Sequence, residues 1–282
     1  MEFHNNSAEI FVPEGTPAPQ ALARTTHLAI AAHEDDIEIM AIDGILQCYR
    51  QPDRWFTGVV VTNGSGSPRD DLYAAYTDEE MPRLLRQEHR AAAVLGEYAA
   101  QVLLDYPSAT VKAPHAAAVI TDLEQILLAT RPQVVYTHNL ADKHDTHVAV
   151  ALKTLAALRQ LPPEARPAAV YGCEVWRALD WLSDEEKVAF DCSARESLQA
   201  ALLGVFDSQI CGGKRYDLAT MGRRKAHATY YALHGVDTTT GLNFAMDLTS
   251  LVTDESLEAL TLAQTYITRF AGEVNRRIRA LG

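Results

Sequence analysis

Two spacings of apolar residues alternate along this chain. Short continuous apolar runs at 26–32, 56–62, 101–104, 133–137 and 168–175 have the length and β-branched content of buried strands. Between them, sets such as Ile37, Met40, Ala41, Ile45 and Leu46, or Leu84, Leu85, Ala92, Val94 and Leu95, recur at the spacing of one helix face. This predicts helices over 36–50, 79–98, 116–129 and 146–158. Strands alternating with helices imply an α/β fold, Rossmann-like and doubly wound, with a mostly parallel sheet and helices on both faces. Past residue 175 the pattern turns helical, over 195–209, 216–232 and 255–281, with 242–248 read as an edge strand. The expectation is a single domain, 25–282, with a helical C-terminal extension. A polar arm, 1–24, carrying Pro13, Pro17 and Pro19 precedes it.

Charge narrows the partners. The formal net charge of −12 disfavours nucleic acid, whose binding rests on basic side chains, and anionic membrane surfaces. No apolar run is long enough to span a bilayer, and the N-terminus lacks the features of a signal peptide. Cys48, Cys173, Cys192 and Cys211 are far apart and read as reduced thiols. The expectation is a cytoplasmic protein with a small-molecule substrate; a homo-oligomer is left open. No G-x-G-x-x-G follows the first strand, which argues against a dinucleotide.

Two polar turns carry the candidate chemistry. His33-Glu34-Asp35-Asp36 ends the first strand, and a turn with His138, Asp142, His144 and His147 ends the fourth. In a sheet of order 3-2-1-4-5 those strands are neighbours at the switch point, where ligands bind. His and Asp there are a source of three metal ligands plus an acid and a base, as in a zinc hydrolase with one open position. Adjacent Asp35 and Asp36 cannot both reach one metal from a regular element, so one is expected to bind metal and the other to act as base.

These residues resemble the PIG-L/LmbE family of zinc-dependent N-deacetylases. The A-H-P-D-D-E motif of that family reads Ala32-His33-Glu34-Asp35-Asp36-Ile37 here, and its H-x-x-H turn reads His144-Asp145-Thr146-His147. Thr62-Asn63-Gly64, the run from Glu88 to Gly96, and Leu104-Asp105-Tyr106-Pro107 extend the likeness over about residues 26–160. The resemblance implies a Zn²⁺ site, with Fe²⁺ equally suited to such a set, held by His33, Asp36 and His147. It implies Asp35 as general base, His144 as acid or oxyanion stabiliser, and Asp142 hydrogen-bonded to His144 and keeping it protonated. It also implies removal of acetyl from a small, soluble N-acetylglucosamine-type sugar or glycoside. Alternatives are a non-sugar N-acyl substrate, or a non-catalytic domain with a structural metal. Glu34, Ile37 and Ser108 depart from the family pattern. Arg83 and Arg86 both flank the position of its substrate arginine.

Further expectations concern the surroundings. Glu174, Trp176 and Arg177, after the fifth strand, are candidates for substrate contact, with Trp176 stacking on a sugar. The loop from Ser65 to Asp78 is a candidate lid. His138 reads as a supporting or surface residue, and His89 and His227 as solvent-facing. Residues 222–227 read as a basic solvated helix face.

Overall fold

The computed structural model describes residues 1–282. Eight strands form one sheet: β1 (Glu9–Phe11), β2 (His27–Ala31), β3 (Phe56–Thr62), β4 (Ala100–Tyr106), β5 (Val134–His138), β6 (Ala169–Cys173), β7 (Lys187–Asp191) and β8 (Leu242–Asp247). Their order is β1-β4-β3-β2-β5-β6-β8-β7. The five central strands are parallel; β1 and β8 pair antiparallel at either side of them, and β7 pairs antiparallel with β8. The five apolar runs of the sequence therefore occupy the expected 3-2-1-4-5 order in a single α/β domain. The segment expected as an edge, 242–248, instead lies inside the sheet, because Lys187–Asp191 pairs along its outer side.

Alternation within the strands assigns the two faces. Leu28 and Ile30 of β2 enter one core with Val59, Val102, Val135, Leu123 and Val150. Ala29 and Ala31 enter the other with Ile37, Ile45, Phe56, Tyr136 and Leu202. Both faces are thus covered by helices, as strands without alternating polar residues require.

The helix expected over 36–50 is two helices, Asp36–Met40 and Ile42–Cys48, broken at Ala41. The carbonyls freed at the break are satisfied from far along the chain. Arg224 donates to the oxygens of Glu38 (2.7 Å) and Ile39 (3.1 Å), and Asn243 donates to that of Met40 (3.0 Å). Arg224 is buried, so residues 222–227 are not a solvated face. No helix is long and apolar enough to cross a membrane.

Residues 1–24 contribute β1 and a helix, Ala18–Ala23, with Ala21 and Leu22 buried. Fully buried Asp122 anchors the start of this segment. It accepts from His4 N (3.2 Å) and Tyr106 Oη (2.7 Å), and lies 2.7 Å from His4 Nδ1. Asp122→Ala should therefore lower stability by about 3 kcal/mol, since it strands a buried hydroxyl. A urea titration measures the loss, and proteolysis near Asn5 should accelerate in parallel.

Candidate metal and active site

β2 and β5 pair in parallel with His27 opposite Val134 and Ala29 opposite Tyr136, so their carboxyl ends coincide. That register brings His33 and Asp36 against residues more than a hundred positions later. His33 Nδ1 lies 3.0 Å from His147 Nε2 and 3.4 Å from Asp36 Oδ2, and His147 Nε2 lies 3.4 Å from Asp36 Oδ2. Tetrahedral zinc with bonds of about 2.0–2.2 Å needs ligand–ligand edges of about 3.3–3.6 Å. Two of the three edges fall in that range, and the His33–His147 edge is shorter.

Two more imidazoles crowd the same point. His138 and His144 stack on His147, with ring centroids 4.0 and 4.6 Å away. Their hydrogen bonds separate them from the triangle. His138 Nε2 accepts the Ala32 N–H at 2.9 Å, which occupies the lone pair of a neutral ring. His144 caps the helix Asp145–Gln160, its Nδ1 accepting from Thr146 N at 3.3 Å. The proton of a neutral His144 is then on Nε2, making that atom a donor. His147 presents Nδ1 to Asp142 Oδ2 at 3.5 Å, which leaves its Nε2 lone pair directed at the triangle.

Asp142 thus differs from expectation. Its carboxylate faces the ring of His147; from His144 it takes only the backbone N–H (3.0 Å), and from Trp176 another (3.1 Å). Nor is His144 held protonated. Burial, followed by the neighbouring His147 and His33, lowers its pKa to about 4.

The acidic residues diverge although they are adjacent. Burial would raise the Asp36 carboxyl, but His147, His138 and His33 around it override burial and hold it well below the usual range. Asp35 feels only His33 among them, and weakly. Burial, then the charges of Asp36 and Glu34, raise it well above a normal carboxyl, and its buried Oδ2 has no hydrogen-bond partner. Glu34 is buried as well. A Cβ on Gly64, which has φ +64°, would fall on the Glu34 carboxylate, so this approach requires glycine there.

The proposed substrate contacts scatter. Trp176 lies at the site, its indole centroid 6.1 Å from the His144 ring. Arg83 and Arg177 are exposed and unpaired. Arg86 is tied to Asp105 (2.8 Å) and Glu9 (3.4 Å), which commits its guanidinium to the far edge of the sheet. Glu174 is fully buried and turned inward, accepting from Leu179 N (2.9 Å) and Phe244 N (3.1 Å), with His227 Nε2 at 2.9 Å. It is a core residue, and His227 is its buried partner. His89 is buried too, against Phe206, and burial lowers its pKa to about 3. The loop 65–78 is fastened to the helix Asp207–Ile210 through Tyr73 Oη and Asp207 (2.7 Å).

Sequence reasoning passed over Tyr216. It stands beside Trp176 at the start of the helix Tyr216–Tyr230. Burial, then the charges of Asp35, Asp36 and Glu34, raise its phenol to about 12. Nothing local in the sequence links it to a turn some 180 residues earlier.

Residues 28–158 match the family PIG-L: GlcNAc-PI de-N-acetylase. The fold is similar to N,N'-diacetylchitobiose deacetylase from Pyrococcus horikoshii, with TM-score 0.58 and 18% identity, covering 78% of this chain and 83% of that one. It is similar to a deacetylase of teicoplanin biosynthesis, with TM-score 0.55 and 15% identity, covering 79% and 98%. It is equally similar to 4-carboxy-2-hydroxymuconate hydratase from Pseudomonas putida, with TM-score 0.58 and 15% identity, covering 79% and 96%. No curated protein sequence matches the chain. Such identities show a shared fold, and a hydratase on that fold leaves the reaction to be argued from the site.

The buried Glu174 cluster predicts a stability effect. Glu174→Ala should cost about 3–5 kcal/mol, because it strands buried partners. Burial opposes ionisation of Glu174, but His227 and Arg223 outweigh it and lower the carboxyl. Its contribution is therefore complete above the unfolded-state value of about 4.3 and is lost as pH falls through the lower folded-state value. Melting curves of the two proteins should accordingly converge on acidification below about pH 4.

Proposed function

We propose that this chain, a member of the PIG-L family over residues 28–158, is a metal-dependent hydrolase that removes acetyl from a small N-acetylglucosamine-type sugar or glycoside. The observation that carries this reading is the His33–Asp36–His147 triangle, 3.0–3.4 Å on its edges, beside a buried carboxylate oxygen of Asp35 that has no partner. His33, Asp36 and His147 would hold the metal, zinc or Fe²⁺. When bound, it acidifies water and polarises the amide carbonyl.

The chain's own groups then divide the work. Asp35 Oδ2 takes the proton of the attacking water and returns it to the departing nitrogen, so that amide plus water becomes amine plus acetate. Burial and the charges of Asp36 and Glu34 raise the Asp35 carboxyl in the metal-free protein; a divalent cation beside Asp36 would oppose that field and favour the carboxylate. His144 Nε2–H donates to the oxygen on which charge develops. Asp142 holds the His147 ring and the His144 backbone in place. Trp176 offers an aromatic face to the sugar beside the acetamido group.

Acetate release from N-acetylglucosamine and its glycosides tests the function. Chelation should abolish it and added zinc should restore it; release that persists in protein verified free of metal would refute the reading. Asp35→Asn should keep metal content and melting behaviour close to wild type while kcat falls about 10²–10⁴-fold. Turnover near the wild-type rate in that variant would remove Asp35 from the role of base.

A further inference from the structure

We propose that the site wall beyond His144 is an anion subsite, in which Lys143 and Lys214 flank Trp176 and bind a phosphate or carboxylate carried by the acetylated sugar. The sugar scaffold in this statement rests on the deacetylase reading above; the anion does not.

Two separate elements deliver the cations. Lys143 lies in the turn after β5, and its Nζ stands 5.6 Å from the centroid of the Trp176 ring. Lys214 precedes the helix Tyr216–Tyr230, and its Nζ stands 4.6 Å from the same centroid. The two ammonium groups are therefore no more than about 10 Å apart, within one screening length at moderate salt. Both lysines are exposed, and neither ammonium has a hydrogen bond or ion pair. Lys187 and Lys225, by contrast, close on Asp184 and Glu196.

Lys214 and Trp176 line a hollow of about 250 Å³ together with Ile39, Val175, Tyr216 and Arg223, among others, with no carboxylate in its wall; Lys143 approaches the same indole from outside that wall. Ile39 belongs to the helix that carries Asp36, and Trp176 is the indole beside His144, so the hollow adjoins the metal triangle. Arg223 is committed elsewhere: one of its nitrogens donates to the Val175 oxygen at 2.6 Å, and its Nε lies 3.9 Å from the buried Glu174 carboxylate. Arg215 is neutralised by Asp217.

Attraction to an indole explains one ammonium at the ring, at about 0.5–1 kcal/mol for an exposed pair. It does not explain two, which repel one another. In a chain with net charge −12, two unpaired ammonium groups at one indole, one of them on the rim of a carboxylate-free hollow, have the opposite sign from the rest of the molecule. A neutral sugar needs the indole and hydroxyl partners. An anionic sugar uses the two ammonium groups as well.

The experiment compares kcat/KM for N-acetylglucosamine, its 6-phosphate, its 1-phosphate and N-acetylmuramic acid. Wild type is set against the Lys143→Met/Lys214→Met double variant, which keeps the aliphatic stems. At least one anionic substrate should exceed the neutral sugar by about tenfold or more. That ratio should fall towards one in the double variant, recover with Lys143→Arg/Lys214→Arg, and decline as salt is raised. The preferred anion identifies phosphate or carboxylate as the source. A wild-type ratio near one, with the neutral sugar turned over, overturns the subsite and leaves the deacetylase reading in place. If no sugar is hydrolysed, calorimetric titration of both zinc-loaded proteins with inorganic phosphate decides. A dissociation constant about tenfold weaker in the double variant upholds the subsite without the deacetylase reading, and equal constants overturn it.

Discussion

The parallel pairing of β2 with β5 is the constraint from which the site follows. Each strand ends in a turn that is unremarkable by itself: His33 to Asp36 after one, His138 to His147 after the other. The register, Ala29 opposite Tyr136, sets the depth at which both turns emerge. A shift of one residue would reverse every side chain in the strand between the two cores and move His33 away from His147. The continuous burial of β2, flanked by helices on both faces, makes such a shift costly. The 3.0 Å separation of His33 and His147 is thus held by the hydrophobic packing of residues that carry no chemistry.

Charge at the site is regulated by which acids are given partners. Asp36 sits among three imidazoles and stays ionised against its burial. Glu34 and Asp35 feel only His33 of these imidazoles, burial outweighs it, and their carboxyls are raised. Glu38, one turn on, is raised to about 8 by burial even though Tyr98 donates to it at 2.8 Å. One short segment therefore contains one strongly ionised carboxylate and three that resist ionisation. A cation at the triangle would relax that imbalance.

The C-terminal third supports this arrangement from outside the family-matched residues 28–158. Arg224 and Asn243 satisfy carbonyls at the end of the Asp36–Met40 helix, so the aspartate pair is braced from behind. The Glu174–His227 pair joins the end of β6 to the helix Tyr216–Tyr230 and to β8. That same helix begins with Tyr216, beside Trp176. One set of packing contacts therefore positions both the support of the Asp36–Met40 helix and the far wall of the pocket.

The sequence by itself determined the strand inventory of the central sheet and the two polar turns; their convergence followed only if the sheet took the common doubly wound order, which the structure has. These signals are local: apolar runs of strand length, helical spacing between them, and polar clusters where each run stops. Tertiary structure decided the rest, because the deciding partners are distant in the chain. The break at Ala41 depends on an arginine more than 180 residues away, and the helical spacing across it shows no interruption. Whether Asp142 supports His144 or His147 is a matter of side-chain direction in one turn, which spacing does not encode. Glu174 and Trp176 are two residues apart beyond β6, yet one serves the core and the other the pocket. Arg86 reads as a free cation until Glu9 and Asp105 are placed beside it. Burial of His89 and His227 was hidden for the same reason: on a helix face, a histidine that faces water and one that faces a buried phenylalanine have the same spacing.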